Sequence, residues 1–140
     1  MPQMTPKQYL SQALAADKAI NRKIDRLADL YAACTKSTSL LTLTPGGGHD
    51  DRAFENRMAK YLQLRDEINE DIDRLVDLKT EIMEVIDAVP DENCRCILEK
   101  HYLQGKTLRA IGEEMGYEKD YIFQMKKKAL KMVQVPETSL

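Results

Sequence analysis

The sequence predicts an all-α chain in which a long, coiled-coil-like N-terminal helical hairpin precedes a three-helix module containing a helix-turn-helix. Three observations predict it. Apolar residues recur at alternating three- and four-residue steps from Ala13 to Cys34 and again from Phe54 to Val89, the mark of an apolar stripe on each of two helices. Aromatic residues are scarce at 6% and Trp is absent, which favours helices packed through aliphatic side chains. Beyond Pro90 the long repeat gives way to short helical segments broken at Gly105 and Gly116.

The first helix is expected over about Thr5 to Thr35. Thr5 is a candidate cap, and Pro6 is tolerated in a first turn. Its stripe is Ala13, Ile20, Ile24, Leu27, Tyr31 and Cys34, with Asp17 interrupting it. Residues 36–52, KSTSLLTLTPGGGHDDR, read as a linker because Ser/Thr content and Pro45-Gly46-Gly47-Gly48 oppose a helix. A second helix is expected from about Asp51 to Val89, capped by Asp50 or Asp51 and ended by Pro90. Its stripe runs Phe54, Met58, Tyr61, Leu64, Ile68, Ile72, Leu75, Leu78, Ile82, Ile86 and Val89. Such a helix is on the order of 55 Å long, more than a small C-terminal module can cover. The first helix folded back antiparallel, a second copy of the chain, or both must cover the stripe. The organisation expected is therefore residues 1–89 as the helical region, 90–134 as the second domain and 135–140 as a tail.

Within residues 90–134, Asp91 to Gln104 reads as a helix stopped by Gly105. Thr107 caps a short helix with Leu108, Ile111 and Met115 turned inward, and Gly116 supplies a left-handed turn. A last helix runs from about Lys119 to Val133. The spacing Leu108-x-x-Ile111-Gly112-x-x-Met115-Gly116 is that of two helices crossing closely at a small residue, Gly112. Counting 100° per residue from Ile122, the inner arc of the last helix holds Met125, Ala129 and Val133. The opposite arc holds Asp120, Gln124, Lys127 and Lys131, flanked by Phe123 and Lys128.

That arc has the chemistry a groove-reading helix needs. Gln124 can pair with adenine, the lysines can meet phosphates or guanine, and Phe123 can touch a thymine methyl. Thr107 and Arg109, opening the preceding helix, are placed to hold the DNA backbone. The overall charge of −2 conceals an asymmetry. Phe54 to Glu92 carries twelve acidic against five basic residues, whereas Lys119 to Val133 carries five lysines and one aspartate. Basic residues concentrated on one element permit nucleic-acid binding despite an acidic chain. The acidic helix should face solvent or a basic partner.

The run Ile97-Leu98-Glu99-Lys100-His101-Tyr102-Leu103-Gln104-Gly105, the Thr107-to-Gly116 spacing, Ile122 and Ala129-Leu130 together resemble region 4 of bacterial sigma factors. From Asp17 to Leu130, including Asp71-Ile72-Asp73-Arg74-Leu75-Val76-Asp77-Leu78-Lys79, the chain also resembles small phage and prophage proteins of Gram-positive bacteria. That family includes activators of late phage transcription. The resemblance implies recognition-helix contacts at Lys119, Tyr121, Phe123, Gln124 and Lys127, though the helical count puts Tyr121 at the side of the DNA face. Two positions depart from the sigma pattern: Glu118 stands where Ser is usual, and Lys100 replaces a core leucine.

The leading functional expectation is a phage-type transcription regulator that binds double-stranded DNA and contacts RNA polymerase. It is expected to form a homodimer through its N-terminal helices, since one small module buries little DNA surface. The alternatives are a DNA-packaging protein of the terminase small subunit kind and a polymerase-binding adaptor that never touches DNA. An enzyme is not expected. Gly46-Gly47-Gly48-His49 lacks the lysine of a phosphate-binding loop, and His49 beside Asp50 and Asp51 reads as polar linker. Cys34, Cys94 and Cys96 form no disulfide framework, and Cys94, Cys96 and His101 lack the second ligand pair of a zinc site. No cofactor or metal is expected. MPQMTPKQYL lacks the blocks of a signal peptide and no apolar run is long enough to span a bilayer, so a cytoplasmic location is expected.

Overall fold

A computed structural model describes residues 4–43 and 50–137, with the side chains of 36–43, 50 and 51 outside that description. Among the described residues the chain is all-helical and contains no strand. Five α-helices follow in order: α1 (Pro6–Leu43), α2 (Asp50–Asp87), α3 (Glu92–Leu98), α4 (Leu108–Met115) and α5 (Lys119–Met132). None of the described helices is long and apolar enough to cross a membrane.

The first helix is longer than the sequence reading allows. α1 continues through residues 36–43, which were expected to belong to the linker. The physical reason is one of magnitude. Each Ser or Thr costs only a few tenths of a kcal/mol relative to Ala inside a helix. A helix already running for more than eight turns needs no new nucleus to absorb them. Pro45, the three glycines, His49 and the capping atoms of Asp50 and Asp51 lie outside the described residues, as does the end of the tail.

Two compact units divide the chain, Asp17–Arg74 and the pairing of Met1–Ala16 with Leu75–Leu140. The division runs through both long helices rather than at Pro90. In the Asp17–Arg74 unit, α1 and α2 lie antiparallel. Lys23 reaches Asp71 at 2.6 Å and Glu67 at 3.6 Å, while the Tyr31 and Tyr61 rings sit 6.0 Å apart. The hydrogen bond from Lys23, followed by that from Arg74, holds the Asp71 carboxyl below its ordinary range. Ile20, Cys34 and Ile68 are buried there, but Ile24, Tyr31 and Ile72 from the same stripes remain exposed.

The other unit joins the opening of α1 and the end of α2 with α3, α4 and α5. Leu10, Ile82, Ile86, Ile97, Ile111 and Ile122 are each 1% exposed or less. Residues from the start of α1, the end of α2 and the last three helices are thus buried within one compact unit. Leu14 shows the closeness directly, since its methyl groups lie 3.4 and 3.9 Å from where a Cβ on Gly105 would stand.

α3 begins with an Asp91 carboxylate accepting from the Cys94 N–H at 3.0 Å, a side-chain N-cap. Arg95 ties the helix to the connector after α2 by donating to the Val89 carbonyl, and it also pairs with Glu92. The expected straight run to Gln104 is replaced at Glu99–Leu103 by a wider π turn, in which Gln104 N–H donates to Glu99 O. The inserted residue turns Tyr102 into the core, where it is 3% exposed, and leads the chain into the bend before α4.

One compact unit built from α1's first turns and α5 makes a specific demand. Leu10→Ala, remote in sequence from α5, should destabilise the unit that contains α5 by about 2–5 kcal/mol. Urea unfolding followed by the near-ultraviolet signal of Tyr102 and Tyr117 checks it. An unchanged midpoint would mean that α1 is not part of this unit.

Candidate nucleic-acid interface

The candidate interface is the outer face of α5, and its position is fixed by how α4 and α5 meet. Ile97 of α3, Ile111 of α4 and Ile122 of α5 form a buried cluster, with Leu108, Met115 and Met125 packed around it. Thr107 starts α4 in an extended conformation, its hydroxyl oxygen accepting from Ala110 N–H at 3.1 Å. Gly116 ends α4 with φ +79°, a left-handed backbone that side chains with a Cβ disfavour.

Gly112 is the tightest point. A Cβ there would stand 2.5 Å from the Tyr117 carbonyl oxygen, inside any tolerable contact. The same approach brings Tyr117 N–H to the Gly112 carbonyl at 2.8 Å. The turn between the helices is therefore closed backbone to backbone.

With Ile122 and Ala129 wholly buried, the rest of α5 follows from helical geometry. Lys119, Tyr121, Phe123, Gln124, Lys127, Lys128 and Lys131 are all exposed, and so are Thr107 and Arg109 on α4's approach. Gln124, Lys127, Lys128 and Lys131 line one open groove together with Leu130. None of the five α5 lysines has a carboxylate within ion-pair distance among the described residues. Asp120 shares the exposed face.

Individual positions refine the sequence reading. The Lys127 ammonium sits 4.8 Å from the Phe123 ring centroid, and that of Lys126 sits 5.9 Å away. Phe123 thus steers two cations by its ring face besides offering an apolar edge. Lys128 lies toward the start of α3, where its charge helps to lower the Asp91 carboxyl, after the larger effect of the Cys94 N–H. Tyr121 stacks on Tyr117 with ring centroids 4.6 Å apart, so it belongs to an aromatic pair at the edge of the face. Tyr117, a turn residue, gave no periodic signal that could have identified it.

The two departures from the sigma pattern have physical consequences here. Glu118 occupies the N-cap position of α5 in an extended conformation, yet its side chain makes no capping hydrogen bond. Lys100 is accommodated by Glu114, whose carboxylate takes the Lys100 ammonium at 3.0 Å and that of Lys106 at 2.8 Å. Those two hydrogen bonds, Lys106's first, hold Glu114 below its ordinary pKa. A salt bridge therefore ties α4 to the preceding bend where a leucine would have packed. Its partners are fourteen and eight positions away, beyond the reach of any periodicity argument.

The residues considered for metal chemistry serve the fold. Cys94 is fully buried, and burial raises its thiol pKa as it does that of Cys96. His101 Nδ1 is 2.9 Å from the Lys106 carbonyl, and its ring meets Tyr102 edge-on. Among the described residues no group of three or more His, Cys, Asp or Glu is arranged to hold a metal ion. No family model matches the chain, and neither a curated protein nor a solved structure does.

Two outcomes follow from this geometry. Gly112→Ala should cost about 1–3 kcal/mol, since the added methyl meets backbone that cannot turn aside; an unchanged urea midpoint would contradict the close approach. Glu114 tests the salt bridge by pH. Its folded pKa is depressed from 4.5, so the stabilisation is present above that value and lost as pH falls through the folded pKa. Wild type should lose stability on acidification below pH 4.5 more steeply than Glu114→Gln, which has no charge there to lose. Parallel curves would rule out the bridge.

Proposed function

We propose that the chain is a sequence-specific DNA-binding regulator of transcription, of the phage and prophage type, which reads promoter DNA with α5. In this reading α4 and α5 are a helix-turn-helix related to sigma region 4, and α5 enters the major groove. The observation that carries it is the composition of the open face. Gln124, a bidentate partner for adenine, lies in one groove with Lys127, Lys128 and Lys131, whose charges no carboxylate of the described chain neutralises. A helix whose lysines were only solvated would need no glutamine at the centre and no aromatic edge beside them.

Roles divide by chemistry. Gln124 and Phe123 supply base readout, and Lys127, Lys131 and Lys119 supply phosphate contacts. Arg109 and Thr107 meet the backbone from α4; the Thr107 oxygen is occupied as a cap, which leaves its O–H to donate. Lys128, at the edge of the same groove, adds a further phosphate contact. The apolar positions left exposed on the long helices, Ile24, Tyr31 and Ile72, support a homodimer through that region, which would present two modules to paired half-sites. RNA polymerase is the further partner in this reading, and the protein works in the cytoplasm.

A second reading has an observation of its own. Glu118 and Asp120 are exposed at the start of α5, where a recognition helix would first meet phosphate. That favours an adaptor that docks on polymerase without touching DNA.

Fluorescence anisotropy against a pool of promoter duplexes across a salt series separates the two. Gln124→Ala should lose preference among sequences while keeping most of its non-specific affinity. Lys127→Ala should weaken binding to all duplexes alike and flatten the salt dependence by about one unit of slope. Wild type that ignores every duplex at low salt would leave the adaptor reading standing instead.

A further inference from the structure

A second cluster of cations adjoins the face just described, and part of it comes from the opposite end of the chain. The first turn of α1 is held firmly. Thr5 and Gln8 cap it reciprocally, Gln8 N–H donating to Thr5 Oγ1 at 3.2 Å and Thr5 N–H to Gln8 Oε1 at 3.0 Å. Tyr9 and Leu10, directly after, are buried in the core. Lys7 is thereby fixed on the outside of an ordered turn, where it is exposed.

That turn lies against the end of α5. Thr5, Pro6 and Lys7 line one open groove of about 380 Å³ together with Leu130, Lys131 and Val133. Lys131 also lines the groove that holds Gln124 and Lys127. The two grooves thus adjoin along α5, sharing Leu130 and Lys131. Lys126, half-buried on the flank of α5, stands close enough to Lys7 to feel its charge. Burial, and then that neighbouring ammonium, lower the Lys126 pKa. Lys7, Lys126 and Lys131 have no carboxylate in ion-pair range among the described residues.

Like charges held together without a counter-ion are unfavourable, and an anion placed between them relieves the repulsion. Several features of the site indicate which anion fits. The groove is open along its length, so it cannot enclose a small free ion. Its cations continue the row on α5, which suits a linear polyanion. We propose that the first turn of α1 is a second phosphate-contacting element of the DNA interface, with Lys7 and Lys131 gripping the strand that runs beside α5. This rests on the reading of α5 as the DNA-contacting helix. It extends the footprint to a residue more than a hundred positions from that helix, outside any helix-turn-helix.

The contact is to the backbone, so it should carry no sequence information. The test uses the full chain and a mixed-sequence DNA duplex longer than the module's footprint, with anisotropy measured across a salt series. Lys7→Gln should bind severalfold more weakly on every duplex and lose about one unit of salt slope, whereas Lys7→Arg should keep both. Thermal unfolding of Lys7→Gln should be unchanged or slightly improved, because the substitution removes the repulsion on Lys126. Wild-type affinity and slope in Lys7→Gln, with Lys127→Gln still impaired, would overturn the inference and leave the reading of α5 intact. If wild type and every variant ignored the duplex, the reading of α5 would fail and this inference with it.

Discussion

The structure depends most on the approach of two backbones at Gly112. Because position 112 has no Cβ, the Tyr117 carbonyl can sit where a methyl would otherwise be, and the Tyr117 N–H closes onto the Gly112 carbonyl at 2.8 Å. This contact sets the distance between α4 and α5. It brings Ile111 and Ile122 together against Ile97, and burying one arc of α5 leaves only the opposite arc free. The identity of the outward residues is then a matter of counting. A looser crossing would rotate α5 or expose Ile122, and the row of Gln124, Lys127 and Lys131 would no longer point away from the core.

The second constraint is that the C-terminal helices, which share the Ile97–Ile111–Ile122 cluster, form one compact unit with the start of α1 and the end of α2. Three short helices bury too little apolar surface to offset the conformational entropy of ordering them. Leu10 and Ala13 from the start of α1, Ile82 and Ile86 from the end of α2, and Val89 just beyond it are buried in the same unit. A structural consequence is that the first turn of α1 and the end of α5 are adjacent. The basic turn at Lys7 lies beside α5 because Tyr9 and Leu10 must be buried there.

Much of this was legible in the sequence, for a physical reason. Helical periodicity, proline and glycine act locally, so Thr107, Gly112, Gly116 and the arc of α5 could be placed by spacing alone. The α-helical class and the exposure of all nine candidate residues follow from those signals. What could not be read depends on partners far apart in the chain. Lys100 looked like a misplaced core residue until Glu114 stood opposite it. Tyr117 became an aromatic partner only when the turn stacked it on Tyr121. The extension of α1 through residues 36–43 is not marked by composition, because a Ser/Thr-rich run costs a helix only a few tenths of a kcal/mol per residue while looking like a linker. The π turn at Glu99–Leu103 leaves no mark in composition at all.

The central claim is that the outward arc of α5 is the DNA-contacting surface, and residue-resolved chemical shifts test it most directly. Titrating the isotope-labelled chain with duplex DNA should move the amide and side-chain signals of Gln124, Lys127 and Lys131, with Thr107 and Arg109 responding as flanking contacts. The acidic stretch of α2 around Glu67 to Asp77 should stay still. Shifts confined to α2 or to the exposed positions of the long helices, with α5 silent, would contradict the account.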